Sequence, residues 1–398
     1  MSRIIETTVG QLVVNFDRMR KPLSSLERQS RKGPYPYYGA TCIFDYIDDY
    51  IFDGDYILLG EDGTVINADG SPVLQRISGK TWVNNHAHVL RNTSKIDFDY
   101  LYYALMNTNF SSAVTGAVQP KISQANMNAV PISIHEDIGE QKAIAQYLLS
   151  IDRAIDLNKA VNQKLLEQAQ LILLSFFVDF NHFDGTMPSN WEYGTLGDIV
   201  DFINGYAFKS KELLDAPEGN CYQVFKQGHI NRGGGFNADG TKSWYPISKC
   251  NGLQKYILRK GDVLMAMTDM KDNVAILGNT ALMPVDNQYI VNQRVGLLRS
   301  NGYMNTSYAY IYLLTNSSTF LKDLRNRANS GVQVNLSSAE IKNSSVLIAS
   351  KDVNAEFNNL TKPLLDMIMV NELKNKQLAQ LRNALLPKLM SGEISVLQ

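Results

Sequence analysis

Apolar residues between 144 and 176 recur at alternating steps of three and four: Ile144, Leu148, Ile151, Ile155, then Asn158 and Asn162, then Leu165, Ala169, Ile172 and Phe176. A 3.5-residue repeat sustained this long is the seam of a coiled coil, narrower than the stripe of a globular surface helix. Between Asp137 and Val178 there is no glycine after Gly139 and no proline. The pattern therefore predicts one helix from about Asp137 to Val178, on the order of 60 Å long at ~1.5 Å per residue. It returns as Phe357, Leu360, Leu364, Met367, Asn371, Lys374, Leu378, Leu381 and Leu385, ending before the stop signals Pro387 and Gly392. Ile144, Ile151, Asn158, Leu165 and Ile172 precede Phe357, Leu364, Asn371, Leu378 and Leu385 by 213 positions, so the two seams are copies of one.

An asparagine in such a seam is tolerated where it meets a polar partner, and it then fixes the register. Antiparallel pairing that sets Asn158 opposite Asn371 also sets Ile151 against Leu378, Leu165 against Leu364 and Ile172 against Phe357. The expectation is an antiparallel coiled coil registered by Asn158 and Asn371. The alternative is that each helix packs only on its own domain.

The duplication extends beyond the helices. Val118-Gln119, Ile122-Ser123 and Ala125 are answered 214 positions later by Val332-Gln333, Leu336-Ser337 and Ala339. Thr8-Val9-Gly10-Gln11-Leu12 is answered 187 positions later by Thr195-Leu196-Gly197-Asp198-Ile199, and Gly54-Asp55 by Gly261-Asp262 at 207. Val83-Asn84 with Leu90-Arg91 matches Val291-Asn292 with Leu298-Arg299 at 208. The offset widens by 20 between the first and second of these pairs and then holds nearly constant, as expected of a shared scaffold with one divergent insert. The fold class expected is α+β: two similar α/β domains separated by a long antiparallel two-helix coiled coil, pseudo-twofold symmetric. The first domain is expected over 1–135, the first long helix over 136–180, the second domain over 181–350, the second helix over 351–392 and a tail over 393–398.

Composition supports packed cores, with 44% hydrophobic residues in 398. The longest apolar run, Leu171–Val178, is interrupted by Ser175 and falls short of the ~20 residues of a membrane span. The opening MSRIIETTVG lacks the apolar core of a secretory signal, so a cytoplasmic location is expected. Cys42, Cys221 and Cys250 are isolated, without the spacing of a disulfide framework or zinc knuckle. The 38 basic and 39 acidic residues leave a net charge of −1, which argues against a chain that grips long duplexes unaided.

Catalytic patterns are missing. Ser78-Gly79-Lys80-Thr81 resembles the end of a phosphate-binding loop, but Leu74 stands where that loop needs glycine. Gly233-Gly234-Gly235 lacks dinucleotide spacing and reads as a hairpin tip. His86-Ala87-His88 is half a metal site without an evident third ligand. Glu140-Gln141-Lys142 and Glu372-Leu373-Lys374 match a nuclease fragment but lie on the long helices, where such charges form solvent-facing pairs. No Asn-Pro-Pro-Tyr or Asp-Pro-Pro-Tyr is present.

Binding chemistry remains. Arg28, Arg31, Lys32, Tyr35, Tyr37 and Tyr38 cluster in the first half, and Lys209, Lys211, Lys226, Arg232, Lys242 and Trp244 in the second. Cations neutralise phosphates, Arg and Lys donate to guanine edges, and Asn or Gln can pair with adenine. Ordinary polar surface has the same composition.

In layout the chain resembles the specificity subunit of type I restriction-modification enzymes over essentially its whole length. The resemblance rests on an order that occurs twice: the Thr195–Ile199 opening, Gly261-Asp262-Val263-Leu264-Met265, Val291-Asn292-Gln293-Arg294, the Val-Gln loop, and a long helix opening on Glu140-Gln141-Lys142-Ala143-Ile144. "GYAFKSKE", Gly205–Glu212, also looks like the early part of a family target-recognition domain. The resemblance implies a non-catalytic subunit in which each domain reads one part of a split, asymmetric double-stranded DNA target, and the helix pair sets the gap. It implies two adenine-N6 methyltransferase (M) subunits and restriction/translocase (R) subunits as partners. S-adenosylmethionine and ATP/Mg belong to those partners, with no cofactor, metal or membrane contact in this chain. The first half departs from the second in having Val83-Asn84-Asn85-His86. DNA-binding candidates are Arg31, Lys32, Tyr35, Tyr37, Arg76, Lys80, Gln119 and Lys121 in the first domain. In the second they are Lys209, Lys211, Arg232, Lys242, Gln293, Arg294, Gln333 and Asn335. The Val-Gln loop either touches DNA or caps the helix and orients its domain. A different class, a coiled-coil scaffold joining two protein-binding domains without DNA specificity, is the alternative.

Overall fold

The computed structural model describes residues 3–116, 118–270, 274–330 and 333–396; Val332 lies outside them, and of Gln333 only the backbone is described. The chain divides into two compact units, Met1–Ile155 with Leu378–Gln398, and Asp156–Gln377.

In chain order unit 1 forms β1 (Ile4–Thr8), β2 (Val13–Asn15), β3 (Lys32–Tyr38), β4 (Ile43–Ile47), β5 (Phe52–Asp53), β6 (Tyr56–Gly60), β7 (Leu74–Ile77), β8 (Lys80–Val83), β9 (Ala87–Asn92), β10 (Val114–Thr115), β11 (Lys121–Ile122) and β12 (Pro131–His135). One sheet has the order β2-β9-β6-β7 and a second the order β4-β3-β8-β5, while β1 pairs with β12. The all-apolar run Tyr56–Leu59 explains why β6 is buried on both faces at the centre of its sheet.

Unit 2 forms β13 (Glu192–Thr195), β14 (Val200–Asn204), β15 (Cys221–Phe225), β16 (Trp244–Pro246), β17 (Val263–Ala266), β18 (Thr268–Met270), β19 (Thr280–Leu282), β20 (Tyr289–Val291), β21 (Val295–Ser300), β22 (Asn329–Ser330), β23 (Gln333–Asn335) and β24 (Ser345–Ile348). Its sheets have the orders β14-β21-β17-β19 and β16-β15-β20, and β13 pairs with β24. The plan of unit 1 is repeated, down to a parallel pair, β3 with β8 and β15 with β20, within an otherwise antiparallel design. The Gly-Asp and Leu-Arg motifs turn out to be structural. Asp262, nearly fully buried, takes two bonds from Arg299, at 2.7 and 2.6 Å, and this carboxylate holds the guanidinium pKa above its ordinary value.

The two long helices run over Ile138–Phe177 and Lys351–Met390. The second passes through Pro387 instead of stopping before it. A proline there costs one helical bond, but Leu386, Leu389 and Met390 are buried in the unit 1 core, which offsets the loss. Tyrosines fasten domains to helices: the Tyr103 hydroxyl donates to Asp152 at 2.6 Å, and Arg382 reaches the same carboxylate at 2.6 Å. In unit 2 Tyr308 donates to Asp366 at 2.7 Å.

Within unit 2 the helices run antiparallel, but one turn away from the register expected. Asn158 meets Asn375 at 2.8 Å, Asn371 meets Asn162 at 2.8 Å, and Phe357 packs on Phe176 with ring centroids 5.6 Å apart. Asn158 thus does not pair with Asn371, nor Phe357 with Ile172. The expected register would match one pair of amides and leave Asn162 facing Met367. The observed one matches two pairs, and partly buried amides are costly when unpaired.

Candidate nucleic-acid interface

In unit 2 three polypeptide segments meet at the end of the sheet where β17 finishes. The turn 292–294 is joined to it by Met267 N–H donating to the Arg294 carbonyl (3.2 Å). The repeated Val-Gln loop joins through Leu336 N–H to the Met267 carbonyl (2.9 Å) and the pairing of Thr268 with Asn335. Gly205 closes the arrangement from the third side. A Cβ there would sit 2.0 Å from the Asn292 carbonyl oxygen, so glycine alone permits the approach. Tyr206 N–H then donates to Val291 (2.9 Å), and Gln293 N–H to Tyr206 (3.0 Å).

The candidates of this unit are scattered over 127 residues of sequence, from Lys209 to Asn335. Gln293, Arg294 and Asn335 are exposed around Met267, and Lys209 and Lys211 lie on the segment leaving Gly205. Arg232 and Lys242 are exposed on the connection between β15 and β16, whose Gly235 N–H donates to the Thr280 carbonyl (2.9 Å) at the same sheet end. Lys211, Arg232, Lys242 and Arg294 make no ion pair among the described residues, and Lys209 reaches Glu212 only at 4.0 Å.

Unit 1 builds the same junction from its own copies. Glu61 N–H donates to the His86 carbonyl (2.8 Å), Ile122 N–H to Glu61 (2.9 Å) and Gly63 N–H to Pro120 (3.0 Å). Gln119 is exposed on the loop, and Lys121 lies beside Glu61 at 3.3 Å.

The other first-domain candidates do not join Gln119 and Lys121. Strands β3 and β8 run parallel with Tyr38 beside Val83 at the junction, so Arg31, Lys32 and Lys80 fall at the opposite end. Their charges are also taken up locally. Arg31 pairs with Asp48 (2.9 Å) and Asp49 (3.5 Å) over the Trp82 ring, and Lys32 pairs with Asp45 (2.5 Å). Lys80 stands 4.6 Å over Tyr50, whose hydroxyl raises its pKa, and Tyr35 packs on Tyr50 at 5.2 Å. Arg76 is bonded to Asp99 and covers Tyr102. Tyr37 is 1% exposed, with its hydroxyl accepting from Leu23 N–H, and belongs to the core. Counting cations along the sequence missed the acidic stretch Asp45–Asp49 that neutralises them in space.

Sequence reasoning also missed the cluster that holds the unit 1 loop. Ligand atoms of Asp17, Glu61 and His88 lie within 4.8 Å of one another, which is metal-like spacing. Arg20 already supplies positive charge there, at 2.7 Å from Glu61 and 3.5 Å from Asp17, and Lys121 adds more. His88 bridges Asp17 (2.6 Å) and the Ile122 carbonyl (2.9 Å). Burial opposes ionisation of Asp17, but the bonds from His88, Val89 and Asn15 prevail and hold its pKa low. The arrangement is a clasp on the loop. His86, expected beside His88 on a strand face, instead lies in the turn, paired with Asp62 at 2.6 Å. The contacts of His86 and His88, and that of Val89 with Asp17, join residues 24 to 72 positions apart, with no short motif to announce them.

These features define a class: a duplicated α+β chain in which each half presents a loop-rich sheet end and carries a long helix. The family model for the type I restriction modification DNA specificity domain matches residues 10–167 and 188–382. The chain belongs to that family of specificity subunits. A type I restriction enzyme MjaVIII specificity subunit from Methanocaldococcus jannaschii is 23% identical over 96% of this chain and 91% of its own length. A putative specificity subunit, S.HindORF215P, from Haemophilus influenzae is 38% identical over 115 residues, 29% of each chain. The crystal structure of an S subunit from M. genitalium has the same fold, with a TM-score of 0.59 at 17% identity, covering 98% of this chain and 96% of that one. No helix among the described residues is long and apolar enough to cross a membrane.

Proposed function

We propose that this chain is the non-catalytic DNA-reading subunit of a type I restriction-modification complex, each domain reading one half of a bipartite, asymmetric double-stranded target. The observation that carries the reading is the duplicated junction. Two sheet ends are built in the same way, each joined by the repeated loop, and at the second Arg294, Arg232 and Lys242 stand exposed and make no ion pair among the described residues. Exposed guanidinium and ammonium groups beside amides are what phosphate contact and base reading require. The helices act as an antiparallel spacer that fixes the gap between half-targets and relates the domains by a pseudo-twofold axis.

The helices also dock two adenine-N6 methyltransferase subunits. Apolar side chains also stand exposed on the helices, Leu157, Val161 and Leu171 on one and Val370 on the other, joined there by Leu360 and Met367, which the repeat had placed in the seam. Leu157 and Val370 stand 213 positions apart, as do the exposed Tyr147 and Leu360, so part of this apolar surface was duplicated with the seam. S-adenosylmethionine resides in those subunits, and ATP/Mg in the restriction/translocase subunits that complete the complex. The test is reconstitution with the methyltransferase encoded nearby, recognisable by Asn-Pro-Pro-Phe or a similar motif, followed by genome-wide mapping of methylated adenines. Two short sequences at a fixed gap are expected; one uninterrupted motif would refute the reading.

A further inference from the structure

The chain lengths of the two units differ most at one place, and that place adjoins the junction. Strands β3 and β15 end at equivalent residues, since the Tyr38 carbonyl accepts from Asn84 N–H and the Phe225 carbonyl from Asn292 N–H, each at 3.0 Å. From there unit 1 reaches β4 in four residues, 39–42, whereas unit 2 uses eighteen, 226–243, to reach β16. Much of the insert seen as a jump in repeat offset is therefore this hairpin tip. The strands on either side keep their order and their parallel pairing.

We propose that these tips set base identity: 226–243 reads the second unit's half of the target, with Arg232 donating to a guanine edge, and 39–42 reads the first unit's half. The inference rests on the two-part DNA reading above and adds which element does the discriminating. A constant scaffold with a variable tip at the binding end is how one fold reads different sequences.

The longer tip is held rigidly. His229 is fully buried and accepts from Lys226 N–H at 3.1 Å; Gln227 is bonded to both the carbonyl and the hydroxyl of Thr268; Gly240 packs against the His229 ring. Gly234 passes so close to Asn316 that a Cβ would lie 2.6 Å from its amide oxygen. A stem fixed in this way places the Arg232 backbone, between Asn231 and Gly235, whose N–H and carbonyl are bonded at 2.9 Å, with its side chain exposed. A pre-organised guanidinium fork suits the paired acceptors of guanine, where a mobile ammonium would suit phosphate. The short tip is closed by Gly39 N–H to the Cys42 carbonyl (2.9 Å) and tied to its sheet by Gln75 donating to the Gly39 carbonyl (2.9 Å). It exposes Thr41 and Cys42 and no cation, which suits contact with a thymine methyl group.

The experiment uses the full chain reconstituted with its methyltransferase and reads methylated adenines genome-wide for wild type, Arg232→Gln, Arg232→Lys and Thr41→Ala. Unchanged thermal unfolding confirms that each variant is folded, as expected for exposed side chains. For both Arg232 variants, preference for guanine at one position of the second half should fall about tenfold or more, with the first half and the gap intact. Thr41→Ala should relax the first half only. The proposal is overturned if both half-sequences survive all three substitutions. It is equally overturned if Arg232→Gln weakens methylation evenly at every site while Arg232→Lys restores it, which is the signature of a phosphate contact. An uninterrupted wild-type motif would refute the two-part reading itself, before any variant is compared.

Discussion

The register of the helix pair can be measured through its asparagines. In unit 2 the Asn371 side chain, 9% exposed, donates to Asn162 at 2.8 Å, and Asn162 in turn reaches the Ile368 carbonyl at 3.4 Å. Replacing Asn162 alone by Leu strands the Asn371 amide. An unpaired buried polar group costs ~1–3 kcal/mol, and the lower half of that range applies because Asn162 is only half-buried. Replacing both removes the cost together with the bond, so the double variant should lie close to wild type. The coupling energy expected is about 1–2 kcal/mol. Native-state hydrogen exchange of the long-helix amides reads it locally, as a roughly 5- to 30-fold change in protection, without assuming that both units unfold together. The control pair is Asn158 and Asn371, which would couple in the register expected from the seam alone. Additivity for Asn162 with Asn371, alongside coupling for Asn158 with Asn371, would refute the observed register.

Three further perturbations follow from the structure. Burial pushes the His229 pKa down to about 4 from 6.5, so as pH falls the unfolded chain takes up this proton first. Unit 2 should lose about 3 kcal/mol between roughly pH 6.5 and pH 4, and His229→Gln should flatten that part of the thermal-unfolding profile; parallel profiles would sink the assignment. Tyr308→Phe removes the hydroxyl that reaches Asp366 and should cost about 1 kcal/mol, seen as faster exchange in the helix around residue 366. Gly205→Ala should destabilise the junction by about 1–3 kcal/mol, whereas Gly302→Ala, with open space around its Cβ position, should show only its backbone cost.

What could be read from the sequence depended on whether the signal was local or periodic. The long helices and the duplication were legible because apolar spacing and repeat offsets are written along the chain. The register was legible only to within a turn, because Asn162 and Asn375 complete an amide ladder that one conspicuous asparagine per helix does not reveal. Gln293, Arg294 and Asn335 come together because they sit in loops that the strand order brings to one sheet end. Arg31 and Lys32 fall away from the first-domain junction for a reason the sequence hides, since they look free until Asp45, Asp48 and Asp49 fold against them. Tyr37 looked like a binding aromatic because alternation within β3 does not say which face is covered. The clasp of Asp17, Arg20, Glu61 and His88 was invisible, as its members share no spacing. The repeated loop at 115–131 is joined to its domain by backbone bonds from Gly63 to Pro120 and from Ile122 to Glu61, and its Gln119 is exposed.

On the proposed function the helix pair is a ruler between two readers. Inserting one heptad into both helices at the unit boundary, after Ile155 and after Gln377, adds ~10 Å at ~1.5 Å per residue while preserving the seam. Methylated-adenine mapping of the reconstituted complex should then return both half-sequences unchanged, with the gap longer by about three base pairs at ~3.4 Å each. An unchanged gap, or a change in either half-sequence, would contradict the account.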